Sequence, residues 1–184
     1  MKKIYIAAFT IVVAMINAQV IIGDAVGTAP ANQKGSVLLE FAAGQNKGMV
    51  LPYVRTMPST PTEGTIALDA TSGTAARVKY FNGSWIDLSG QDGNITSALA
   101  SQPTSAQVTE VTGAKTIIGS ATTSADGVLV LESASKAMIL PTVEDVQNVV
   151  NPAPGMMVYV NKAGSKRLAV FNGTRWSFWK ATTN

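Results

Sequence analysis

The sequence predicts an all-β protein of two tandem, homologous small β modules with hairpin-rich sheets, and three observations predict it. Short runs of Val, Ile and Leu recur between Gly, Pro, Asn and Ser, which is strand-and-turn patterning. Asn-Gly pairs at 82–83 and 172–173 each sit between two such runs. The landmarks also return in one order. Ile21-Ile22-Gly23 comes back as Ile117-Ile118-Gly119, and Val37-Leu38-Leu39-Glu40 as Leu129-Val130-Leu131-Glu132. Lys47-Gly48-Met49-Val50-Leu51-Pro52 comes back as Lys136-Ala137-Met138-Ile139-Leu140-Pro141, and Phe81-Asn82-Gly83-Ser84-Trp85 as Phe171-Asn172-Gly173-Thr174-Arg175-Trp176. Loops drift in length around retained strands, so modest spacing changes are expected.

Taken in order, residues 1–18 carry the parts of a signal peptide. Lys2 and Lys3 precede an apolar run from Ile4 to Ile16, and Ile16-Asn17-Ala18 offers a small-residue cleavage site before Gln19. The run is shorter than the roughly 20 apolar residues of a membrane-spanning helix, and nothing later approaches that length. The first module is expected over 19–89. Val37–Leu39 and Ile66–Leu68 read as strands, and Asn82-Gly83 predicts a two-residue hairpin that sets Tyr80 across from Trp85. Pro52 ends an apolar run where a strand leaves its sheet. Residues 90–114, rich in Gly, Ser, Thr, Ala and Gln, are expected as a linker or a slender β connection.

The second module is expected over 115–184. Val128–Leu131, apolar at every position, predicts a strand covered on both faces, and Met156–Val160 reads as another. Thr142-Val143-Glu144-Asp145 resembles a helix start, with Val146, Val149 and Val150 as its apolar side. A short helix is therefore expected there, and Arg175 lengthens the second hairpin turn to three or four residues.

Composition removes whole classes of chemistry. The 184 residues include no His and no Cys, which excludes Ser-His-Asp and Cys-His nucleophiles, thiolate metal sites and disulfides. No cofactor or metal is expected. Hydrophobic residues make up 46% and charged ones 14%, enough apolar material for a core. Removing Lys2 and Lys3 takes the positive count from 14 to 12 against 11 acids, a net charge of +1. That charge does not grip nucleic acid. A module of about 60 to 70 residues buries a modest fraction of its surface, so the two are expected to lean on each other or on another chain.

The order Leu-Glu, Lys-Gly-x-x-Leu-Pro, Phe-Asn-Gly-Ser-Trp resembles a module of secreted and surface proteins of Bacteroidota, often tandem and described as tail-fibre-like or hypothetical. The resemblance implies a β-rich stalk, adhesin or filament-associated component, with homo-oligomerisation by analogy with fibrous proteins. In that family the Leu-Pro is typically followed by an arginine and a short helix. Here Arg55 stands after Pro52 without a helix pattern, and Glu144 stands near the position an arginine would take in the second copy.

The expected function is that of an exported, non-enzymatic structural or adhesive protein in the periplasm, at the outer cell surface or outside the cell. Glu40 and Glu132, at matching positions, read as duplicated structure rather than as a catalytic pair. Two rivals stand beside this reading. A carbohydrate-binding module would stack sugars on Trp85, Trp176 and Trp179, with Arg175 and Lys180 adding charge, since no acid follows Asp145. Hairpin aromatics also pair with each other for stability alone. An accessory subunit of an envelope export or motility assembly would instead be held through exposed strand edges. The expected partners are a protein or a second copy of the chain, with a surface glycan as the alternative and no membrane span after cleavage.

Overall fold

The computed structural model describes residues 19–109, 111 and 113–179. The expected signal peptide and Lys180 lie outside them. The chain folds as strands β1 (Val20–Ile22), β2 (Val37–Phe41), β3 (Met49–Val50), β4 (Tyr53–Val54), β5 (Ile66–Asp69), β6 (Arg77–Phe81) and β7 (Trp85–Asp87). Helix α1 (Thr96–Ser101) follows. Then come β8 (Thr116–Ile118), β9 (Leu129–Leu131), β10 (Ala137–Met138), β11 (Thr142–Val143), β12 (Met156–Val160), β13 (Arg167–Phe171) and β14 (Trp176–Trp179). Single 3-10 stretches at Ala31–Ser36 and Val146–Asn148 complete the elements. The fold is all-β, as the strand patterning implies.

One pairing scheme occurs twice. β1 runs parallel to β2, and β8 parallel to β9. The order β4-β5-β6-β7 has one parallel contact followed by two antiparallel ones, and so does β11-β12-β13-β14. The prolines explain how the first strand of each set begins. Pro52 and Pro141 have no N–H to give, but their carbonyls accept from Leu68 N at 3.0 Å and Tyr159 N at 2.8 Å. Each ladder therefore starts on a residue that only needs to accept.

The two halves cross over. β10 adds in parallel to the free side of β2, and β3 pairs antiparallel with the start of β12. Gly48 permits the second contact, because a Cβ there would overlap the Met156 side chain. The faces of the two four-stranded orders also meet. Leu51, Leu68, Val78, Leu88 and Ile95 pack in one core with Met157 and Val170. Met157 and Val170 point one way from their strands while Val158, Val160 and Ala169 point the other, into a second core closed by Val143 and Val149. This is strand alternation, with each face of β12 and β13 buried against a different layer.

Several expectations are corrected. The first hairpin pairs Phe81 with Trp85 and Tyr80 with Ile86, leaving three residues between the strands instead of two. Gly83 takes φ 72° while Asn82 stays at negative φ, and a type I′ turn needs both residues positive. The second hairpin has four residues between Phe171 and Trp176, within the expected range. The expected helix after Thr142 is a β strand followed by one 3-10 stretch, with Asp145 accepting from Gln147 N as its cap. Part of residues 90–114, the stretch expected as a linker or a slender β connection, packs on the first half. Gly93 bridges to Ala76, Ile95 is buried in the first core, and α1 is held by Arg55, whose Nη2 donates to Leu99 O at 2.7 Å. Finally, Val128 and Leu129 lie exposed, whereas coverage on both faces was expected.

Because Leu68 contacts residues of both halves, Leu68→Ala should cost about 2–5 kcal/mol. Calorimetry should show one transition moving down as a unit. Two transitions, with only one of them shifted, would mean that the halves do not share a core.

Candidate functional site

Most of the hairpin aromatics are structural clamps. Trp85 packs edge-on against Phe81, with centroids 5.4 Å apart, and its Nε1 donates to Pro58 O at 3.0 Å. Trp176 lies 5.3 Å from Phe171 and packs against the second core. Trp179 is half-exposed, yet its Nε1 donates to Leu88 O at 2.9 Å and its ring meets Tyr80 edge-on. It therefore ties the last strand to the first half. Arg175 is exposed at the second hairpin tip. The three tryptophans sit at different contacts.

A clasp runs between the halves along residues 88–94. Ser177 Oγ donates to Ser89 O, Gln91 Nε2 donates to Ser177 Oγ at 3.0 Å, and Thr174 Oγ1 accepts from Asn94 N at 2.9 Å. At its centre is Asn172, fully buried. Its Oδ1 accepts from Thr174 N and Arg175 N at 2.9 and 2.8 Å, and its Nδ2 donates to Gln91 O at 2.9 Å. Gly93 lets the strap lie this close, since a Cβ there would overlap Asn172 O. Asn82, the matching residue of the first hairpin, is exposed. Sequence reading passed over Asn172 because an Asn in a turn is ordinarily a turn former. Elsewhere Tyr53 Oη adds a bond between the halves by donating to Pro154 O at 2.8 Å, and burial pushes this phenol's pKa up.

The two glutamates matched by sequence are not equivalent in space. Ala42 N donates to Ile22 O and Glu132 N to Ile118 O, both at 2.9 Å, so Glu132 sits where Ala42 does, two residues beyond Glu40's place. Glu40 is fully buried, and of solvent or a lysine, the surroundings a glutamate ending an apolar strand usually meets, it has the lysine. It accepts from Gln19 Nε2 and from Ala29 N at 2.8 Å, and Lys34 Nζ lies 3.8 Å away. A buried carboxylate requires such partners. Glu132 is exposed and accepts from Thr123 Oγ1 at 2.7 Å. The two carboxylates pin separate loops.

Part of the charge on the rest of the surface is locally engaged. Lys162 meets Asp145 at 2.8 Å, and Arg167 lies over the Phe178 ring, 4.2 Å from its centroid. The hydrogen bond to Asp145 raises the Lys162 pKa, and the same contact lowers that of Asp145. The basic stretch after Asp145 is thus partly neutralised. Burial alone would raise the Asp69 carboxyl. Hydrogen bonds from Lys79 and from the Thr71 side chain and amide, together with the Lys79 charge, outweigh that and hold it below its ordinary 3.8. A shallow cleft of about 240 Å³ near Ile22, Phe41, Lys47 and Pro141 is mostly apolar. Among the described residues no three His, Cys, Asp or Glu side chains gather as metal ligands, and no helix is long and apolar enough to cross a membrane. What the surface does offer is exposed apolar residues: Val50 on β3, Val128 just before β9, Leu129 on β9, and Phe178 and Trp179 on β14.

Residues 117–184 match the model of a family described as the phage tail like trimerisation region. The match supports a tail-fibre-like, self-associating β module, structural in role, over that part of the chain. No curated protein and no solved structure matches the chain.

Two measurements probe these contacts. Asn172→Ala should cost about 1–3 kcal/mol in urea unfolding, because it strands two amides and a carbonyl. Asn82→Ala should stay within about 0.5 kcal/mol, and equal costs would refute the clasp. Asp69 has its pKa lowered in the folded state, so its stabilising contribution is complete above the unfolded value and lost as pH falls through the folded one. The urea midpoint should therefore drop between about pH 5 and pH 2, and Asp69→Asn should flatten part of that drop. An unchanged pH profile in the variant would remove Asp69 as a contributor.

Proposed function

Starting from that match, we propose that the protein is an exported, homotrimeric structural element of a fibre-like assembly, made of module 19–89 and module 115–184 and acting by shape and surface. The observation that carries the reading is the trimerisation-region match over 117–184, on a half that leaves apolar strand residues uncovered. Export is supported by Lys2-Lys3, the apolar run and Ile16-Asn17-Ala18. An adhesive role and kinship with surface proteins of Bacteroidota rest on the resemblance of the Lys-Gly-x-x-Leu-Pro and Phe-Asn-Gly-Ser-Trp motifs. The dispersed tryptophans do not favour glycan stacking.

Native mass spectrometry of protein recovered from the cell envelope tests both parts. Assemblies of three chains, each beginning at Gln19, are expected. A monomer at micromolar concentration removes the trimer, and chains that still begin at Met1 remove export by signal cleavage.

A further inference from the structure

The chain keeps one strand position filled in its first half and open in its second. β2 has β1 on one side and β10 on the other, and Val37, Leu38 and Leu39 are 3%, 2% and 0% exposed. β9 follows β8 in the same parallel arrangement, but among the described residues its other side has no partner. Val128, just before β9, and Leu129, its first residue, are 69% and 42% exposed. The acceptor that β2 presents to β10 is thus presented again by β9 and left vacant.

A donor is vacant as well. β10 comes from the segment Lys136-Ala137-Met138-Ile139-Leu140-Pro141, and its sequence counterpart Lys47-Gly48-Met49-Val50-Leu51-Pro52 supplies β3. Among the described residues β3 pairs only with β12, leaving one edge unused and Val50 47% exposed. Unpaired strand edges flanked by apolar side chains are templates for another chain. The donor and acceptor types that join in parallel within the chain, β10 on β2, are each present once more without a mate.

We propose that β9 of one chain pairs in parallel with β3 of a second copy, repeating between chains the β2–β10 contact made within one. The occupant is a second copy because the geometry of the contact already exists inside the molecule. Such a contact is head-to-tail, since the donor and acceptor surfaces differ, and it closes into a ring when its rotation allows. The inference rests on the self-association proposed above and assigns the surfaces that make it.

The absence of cysteine from the chain makes the test direct. Val50→Cys chains carrying one tag are co-expressed with Val128→Cys or Leu129→Cys chains carrying another, oxidised mildly and run without reductant. Val128 immediately precedes β9 and Leu129 is its first residue, so the two positions sample both directions at the strand's start, and one should bring its thiol within disulfide range of Cα atoms about 4.4–6.8 Å apart. The expected result is a mixed-tag disulfide dimer at least tenfold above that of a Val50→Cys and Val150→Cys pair. Val150 is a suitable control because it is 81% exposed and far from either edge in sequence. If light scattering shows a trimer but neither acceptor position gives the mixed disulfide, these surfaces are wrong and the trimer stands. If it shows a monomer without cross-linking, both readings fail. A dominant Val50→Cys homodisulfide marks a like-with-like contact and overturns the head-to-tail pairing.

Discussion

The structure depends on one apolar contact, between the face carrying Leu68 and Val78 and the face carrying Met157 and Val170. A four-stranded set of such short strands, β4 to β7 or β11 to β14, has too little area to stand alone, and a hairpin or small sheet needs something to cover its face. Here each set covers the other. Gly155 lies against this contact, where a Cβ would sit 3.3 Å from Leu68 Cβ. The glycine before β12 is therefore as much a packing requirement as a turn requirement.

Around that contact the halves are joined by bonds that need particular residues. The β3–β12 crossing needs Gly48 for close approach, and the clasp needs Gly93 and the buried amide of Asn172. Trp179 and Tyr53 close the remaining side, each with one polar atom satisfied by a carbonyl of the other half. The aromatic side chains combine large apolar area with a single donor, which suits such seams. Of the tryptophans that looked available for a ligand, Trp179 is engaged in holding the halves, and Trp85 and Trp176 pack within their own.

The all-β class and most of the strands were legible in the sequence. Alternation, the prolines and the Asn-Gly pairs are local signals, and local physics decides them. Register was less legible. Gly83 alone adopts positive φ, which moves Trp85 from opposite Tyr80 to opposite Phe81. The Leu-Glu echo is similarly displaced by two residues in space, because hydrogen bonds to Ile22 and Ile118 set the ladder and side-chain identity does not. Helix α1 was hidden in a polar, small-residue stretch whose two large apolar anchors, Ile95 and Leu99, are fixed by tertiary packing. Of the described residues singled out as possible ligand contacts, Trp85 and Trp179 spend their indole N–H on carbonyls, Trp176 packs on the second core, and Arg175 is exposed at a tip. A pattern read along one chain reveals which side chains are aromatic; it does not reveal whose carbonyl receives them.

The crossing of β3 onto β12 has a bearing on how the molecule comes into being. Met49 and Val50 cannot complete their ladder until Met156 and Met157 have been synthesised, and β2 waits likewise for Ala137 and Met138. Closing loops of that length is entropically slow, so early acquisition of the native state by the nascent amino-terminal portion is disfavoured. The polypeptide is thereby kept pliable until nearly all of it has been made.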